Sequence, residues 1–449
     1  MNCFTAFLHA SKRRVSIPFA ALACVLSCLS GPAAAQTSPD WTAERWAGTW
    51  GAAPAGPPLD SNTSVYNNQT LRLIVHTSSG GTRVRVRLSN ELGSSDLRIG
   101  SVHVGLRSGS GAAIVAGSDR TLTFNGAASV VIGAGTPILS DPVTLTVPAL
   151  SDLAVSIYLP GQARATTLHS AATQNSFVSP AGNYAAALSM PVQTTIENWP
   201  FLTEVDVSGG SGAVVTLGDS ITDGLRSWGN YNYRWPDWLS RRLQGAGAGY
   251  SRLGVVNRGI AGNSLLVNPQ VGSLAGRRML ERFDRDVLAT SSVRYLIVLA
   301  GINDIVYSSS SAPISAADLI AGYHQLIARA HLRGITVYGA TMLPFSGFAY
   351  YDAGKEQVRQ AANNWIRTSR EFDAVIDFDS LLRDPTTPNR IHPAYDSGDH
   401  LHPNNAGYQL MGNSVPLALF GAIATQAAAE AAPAGQGVAP PTDSVAAPQ

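Results

Sequence analysis

The chain has 449 residues, only 14% of them charged, and a formal net charge of +1. That length suits two domains with tails better than a single core. A balance this close to neutral carries no basic footprint, which excludes nucleic acid as the expected partner.

Residues 1–35 read as a cleavable signal peptide. Lys12, Arg13 and Arg14 precede an apolar run over residues 15–29, and Ala33-Ala34-Ala35 offers an A-x-A site before Gln36. Pro18 breaks the run, which is short for a membrane span, so no stable membrane insertion is expected after cleavage. The expected location is outside the cell or in the periplasm. All three cysteines, Cys3, Cys24 and Cys28, fall in the removed segment. The mature chain is therefore expected to hold no disulfide, and neither Cys24 nor Cys28 follows a convincing lipidation box.

Residues 36–207 read as an all-β domain. Leu71, Leu73 and Val75 alternate with polar or β-branched neighbours. After Ser79-Gly80-Gly81, Val84, Val86 and Leu88 alternate with Arg83, Arg85 and Arg87. Period-two patterning around a glycine turn predicts a hairpin. Further short strands at regular spacing predict a β-sandwich of jelly-roll type. The arginine row reads as a solvated strand face that blunts an edge. Trp41, Trp46 and Trp50 read as packing between domains.

Ser208-Gly209-Gly210-Ser211-Gly212 reads as a short flexible joint. The pattern over residues 208–425 then changes to alternating strands and helices. Strands are expected at residues 214–217, 255–257, 295–299, 336–340 and 374–378. Helices are expected from Trp235-Pro236, from the Ser315 cap, over residues 355–370, and over residues 405–420 with a break at Pro416. Such alternation predicts a three-layer α/β/α domain on a parallel five-stranded sheet. Residues 426–449, rich in Ala and Pro, read as a disordered tail.

The α/β part carries the chemistry. It has no G-x-S-x-G elbow, no H-E-x-x-H and no P-loop, so no metal or cofactor is implied. Four segments stand in one order: Gly218-Asp219-Ser220, Asn257-Arg258-Gly259-Ile260-Ala261-Gly262-Asn263, Gly301-Ile302-Asn303-Asp304 and Asp399-His400-Leu401-His402-Pro403. The first three follow predicted strands, at the edge where open α/β sheets hold their sites. A serine hydroxyl must lose its proton as it attacks, which His402 can accept. Asp399, three residues earlier, can take the other ring N–H and orient the imidazole. The N–H groups of Ser220 and Gly262 and the Asn303 amide can face a developing oxyanion.

These blocks resemble the Ser, Gly, Asn and His blocks of the SGNH, or GDSL, hydrolases over roughly residues 211–422. Arg234-Trp235-Pro236-Asp237 and Arg282-Phe283-Asp284-Arg285-Asp286 resemble a secreted bacterial subgroup with an N-terminal β-domain. The resemblance implies Ser220 as nucleophile, Asp399 and His402 as the rest of the triad, and Ser220, Gly262 and Asn303 as oxyanion donors. It implies a carboxylic ester hydrolase acting on small-molecule or polysaccharide esters, with O-acetyl groups of carbohydrate as the leaning. Lipase, lysophospholipase and arylesterase activities, acyl transfer by the same triad, and a non-catalytic polysaccharide-binding role are the alternatives. Residues 228–233 and Phe345-Ser346-Gly347-Phe348 are candidate substrate rims. His400 and His392 are rejected as the base, the first being too close to Asp399 and the second having Asn389 in the acid's place. Asp219, Asp223 and Asp304 read as loop-ordering residues. His76, His103, His169, His324 and His331 read as structural.

Overall fold

The computed structural model describes residues 44–309 and 311–421. The signal-peptide, Trp41 and tail expectations lie outside these residues.

The C-terminal part is built on a five-stranded parallel sheet. Its strands are Gly212–Gly218, Leu253–Gly259, Val293–Leu299, Thr336–Ala340 and Ala374–Ile376. The second strand lies outside the first, and the third, fourth and fifth follow on the other side. Chain direction across the sheet therefore reverses at the first strand, and such a switch point opens a crevice at the carboxyl ends. Every residue of the first strand is buried, as a strand covered on both faces requires. Val215 and Leu217 enter a core shared with helices Ala316–His331 and Ala353–Thr368. Val214 enters the opposite core with helices Trp235–Gly245 and Asn405–Ser414. The Ser315 cap forms as the sequence predicts, accepting the Asp318 N–H. Asn404, not singled out in the sequence, caps the last helix by accepting the Gly407 N–H. The fifth strand stops two residues short of its expected end, because Asp377 caps the helix Phe378–Leu382.

Among the described residues the N-terminal part is mostly strand. A five-stranded antiparallel sheet includes Trp46–Gly51, Leu202–Ser208, Gly81–Ser89 and Val143–Val147. A seven-stranded sheet is centred on Val65–His76, Asp152–Arg164 and Ser101–Ser108. The expected hairpin does not form. Val65–His76 pairs with Asp152–Arg164, whereas Gly81–Ser89 pairs with Leu202–Ser208 in the other sheet. Leu71, Leu73 and Val75 nevertheless share one apolar core with Val84, Val86 and Leu88. The Ser79-Gly80-Gly81 turn thus carries the chain from one sheet to the other.

Two further expectations are corrected. Arg83 stays half-exposed, but the rest of the arginine row is not a solvated face. Arg85 pairs with Asp206 at 2.8 Å and donates to Ser291 Oγ, and Arg87 pairs with Glu204 at 3.1 Å and donates to the Ala289 carbonyl. The row therefore meets the loop that precedes the third parallel strand. Nor is the Ser-Gly joint loose. Gly209 N–H donates to Arg45 O, and Ser211 N–H to Arg252 O.

Strand Trp46–Gly51 packs along the outer edge of strand Leu253–Gly259 and covers it. Ser78 Oγ accepts the Val255 N–H at 2.7 Å and donates to Thr49 O. The approach is close: a Cβ on Gly254 would lie 1.9 Å from the Gly48 carbonyl oxygen. Arg258 reaches across to the carbonyls of Ala52 and Thr203 and pairs with Glu204. Burial alone would raise the Glu204 carboxyl, but Arg258 and Arg87 hold it below its ordinary value.

Candidate active site

Register brings the site loops together. Gly218 lies opposite Gly259 on one side and Leu299 on the other, so three strands end level and their loops leave at one rim. Asp219 then caps a single helical turn, Ser220–Asp223, by accepting the Ile221 N–H at 2.9 Å. Ser220 opens that turn, so its N–H has no intrahelical acceptor.

Ser220 Oγ lies 2.8 Å from His402 Nε2, and His402 Nδ1 lies 2.8 Å from Asp399 Oδ2. The serine and histidine are buried although 182 residues separate them. A carboxylate can only accept, so Nδ1 carries the proton and Nε2 is left to accept the serine O–H. Asp399 Oδ1 also takes the N–H groups of Leu401 and His402. Burial would raise this carboxyl, but the His402 ring and these N–H groups hold it far below the usual carboxylate range.

Gly262 has φ +77°, a conformation that favours glycine, and its N–H has no acceptor among the described residues. The Asn303 amide donates one N–H to Asn263 O at 2.9 Å, which fixes its orientation and leaves a second donor. The structure thus gathers Ser220, His402 and Asp399 into one hydrogen-bonded line, with Gly262 and Asn303 on neighbouring loops of the same rim.

The rejected histidines are engaged elsewhere: His400 Nδ1 pairs with Asp396 at 2.6 Å, and His392 Nδ1 accepts the Ala394 N–H. The three aspartates do order loops. Asp219 holds Ile221, Asp223 takes the Ala261 N–H at 2.8 Å, and Asp304 takes those of Leu265 and Leu266. Of the candidate rims, Phe345 is instead fully buried in the core. Trp228 and Tyr231 are 59% and 58% exposed and cluster with Tyr233. Their loop adjoins the histidine loop, since Trp228 N–H donates to Asn405 and Arg226 reaches Asp399 Oδ2 at 3.2 Å. A groove of about 800 Å³ runs past Gly262, Asn268, Asn303, Tyr307 and Ile314.

Arg282 enters the sequence reading only within a subgroup motif and with no role at the site, yet it is buried and donates to Gly218 O, Arg258 O and Asn263 Oδ1. It ties the end of the serine strand to the glycine loop. Its spacing from Asp286, an i,i+4 pair on one helical face, was the available signal.

Burial is the main cause pushing the Asp219 carboxyl up to about 7, and Asp304 adds to it, while the Ile221 N–H and His402 oppose. A carboxyl raised in the fold binds more protons native than unfolded between pH 4 and 7. Stability then falls as pH rises through that window. Asp219→Asn, which keeps the capping oxygen, is therefore expected to match the wild type near pH 4. It should gain on it by up to about 1.4 kcal/mol per pH unit towards pH 7. Denaturant melts of both proteins across this range check the sign, and parallel curves would refute it.

No curated protein matches the chain. Among solved structures it is similar to a GDSL-like lipase from Bacteroides thetaiotaomicron, at 20% identity over 47% of this chain and 89% of that one, TM-score 0.34. A variant of an acetyl xylan esterase from Geobacillus stearothermophilus is 20% identical over 47% of this chain and 96% of that one, TM-score 0.35. The M. smegmatis aryl esterase is 15% identical over 49% and 99%, TM-score 0.35. Residues 216–410 match the family described as GDSL-like lipase/acylhydrolase, and that segment contains all four blocks at the rim. Residues 216–410 of the chain thus form a GDSL-like lipase/acylhydrolase domain.

Proposed function

We propose that the protein is an exported esterase that removes acetyl groups from carbohydrate through an acyl-enzyme on Ser220. The observation that carries the mechanism is the line Ser220–His402–Asp399, with both links at 2.8 Å. Ser220 Oγ attacks the ester carbonyl carbon as His402 Nε2 takes its proton. The carbonyl oxygen becomes an oxyanion facing the N–H groups of Ser220 and Gly262 and the free N–H of Asn303. On collapse the alcohol leaves with the proton from His402. Water then attacks the acyl-enzyme by the same route and releases the acid. Asp399, held ionised, stabilises the imidazolium in both halves.

The carbohydrate reading rests on the rim. Two half-exposed aromatic side chains beside the histidine loop offer flat faces, and the groove past Asn303 sets the amides of Asn268 and Gln270 among apolar side chains such as Val267 and Ile314. Export rests on the basic, apolar and A-x-A pattern of residues 12–35. The two antiparallel sheets, with one core between them, support a sandwich of jelly-roll type for residues 44–207. A panel of acetylated glycans, aryl esters and lysolipids tests the substrate. Acetate release from the glycans should exceed release of longer acids. Hydrolysis of lysolipids with every glycan untouched would overturn the carbohydrate reading.

A further inference from the structure

We infer that His169, contributed by the N-terminal β-region, is a positioning residue of the hydrolase site that holds the glycine loop in place through Asp223. The inference rests on the proposed acyl-enzyme reading, with Ser220 as nucleophile and Gly262 as an oxyanion donor. His169 is buried, in strand Leu168–His169. Its Nδ1 lies 2.9 Å from the Ala53 carbonyl oxygen, and its Nε2 lies 3.0 Å from Asp223 Oδ1. Neither partner can donate, so both ring nitrogens donate and the ring is an imidazolium paired with a carboxylate. Burial works against that charge, but Asp223 and the Ala53 carbonyl outweigh it and raise the ring above its ordinary value. The Arg234 guanidinium, which opposes the charge, donates instead to the Asp223 and Ala172 carbonyls.

Asp223 closes the turn that Ser220 opens, and its second oxygen takes the Ala261 N–H at 2.8 Å. The peptide that follows Ala261 carries the Gly262 N–H. One carboxylate therefore joins the nucleophile turn to the oxyanion loop, and the β-region supplies the cation that fixes it. Without the Nε2–H donor, Asp223 can turn towards the cavity of about 40 Å³ that adjoins it, and the Gly262 donor loses its aim. The part of the chain outside the hydrolase domain thus completes the hydrolase site.

Two substitutions of different reach separate this role from simple structural support. In His169→Gln the amide nitrogen sits where Nε2 was and can still donate to Asp223. In His169→Asn it sits where Nδ1 was and can donate only to Ala53. With p-nitrophenyl acetate on the full chain, His169→Gln should keep kcat within about threefold, and His169→Asn should lose roughly 10- to 100-fold with KM little changed. A boronate that mimics the tetrahedral adduct should weaken against His169→Asn in parallel with kcat. Equal kcat in the two variants, whether kept or lost, or a change confined to KM, would overturn the inference. If His169→Asn does not fold, the unaltered protein still decides: the His169 ring N–H resonances should move when Ser220 is phosphonylated, and no movement refutes the coupling. Failure of the underlying reading looks different, because Ser220→Ala would then remain active.

Discussion

Ser220→Ala is expected to lower kcat by about 10⁶-fold, to the level left by binding and oxyanion stabilisation alone. The substitution deletes one oxygen, whose partner in the structure is His402 Nε2. The N-cap of the turn is Asp219, not Ser220, so the backbone of the rim keeps its support. Stability should change by no more than about 1 kcal/mol, the net worth of one hydrogen bond. Turnover of an aryl ester and covalent labelling by a fluorophosphonate should disappear together in a protein with wild-type melting behaviour. A variant that still accepts the label would place the nucleophile elsewhere.

Asp399→Asn is expected to cost about 10⁴-fold in kcat. The two carboxylate oxygens are both committed as acceptors. Oδ2 takes the His402 ring N–H and the Arg226 guanidinium, and Oδ1 takes the N–H groups of Leu401 and His402. An amide turned either way sets its NH₂ against donors. With the NH₂ towards the ring, Nδ1 must accept, the proton moves to Nε2, and the base has nothing with which to receive the serine proton. With the NH₂ towards the backbone, the loop that carries His402 loses its hold. Steady-state kinetics beside a thermal melt distinguish these outcomes. A kcat within tenfold of the wild type would remove Asp399 from the mechanism.

What could be read before folding follows from how local each signal is. The five parallel strands and the cap at Ser315 are written in runs of a few residues, because burial on both faces demands continuous apolar residues and an N-terminus demands an acceptor. The site blocks are equally local, and the level strand ends then bring them together, since loops that leave one edge of a parallel sheet must share it. Asp399 and His402 were legible as a pair for the same reason, being three residues apart on one loop.

The sequence by itself therefore determined the element types, the buried faces and the identity of the groups at the rim. The tertiary structure decided which strands are neighbours and what faces what across the β-region. Period-two patterning says that Val75 and Val84 point inward, yet it is the same for a hairpin and for strands in two different sheets that share a core. Arg85 and Arg87 look solvated because their acids, Asp206 and Glu204, lie more than a hundred residues away. His169 looks structural because Asp223 is 54 residues further on and in another part of the fold. Periodicity records how each residue meets water, and such pairings depend on contacts that exist only once distant segments have packed.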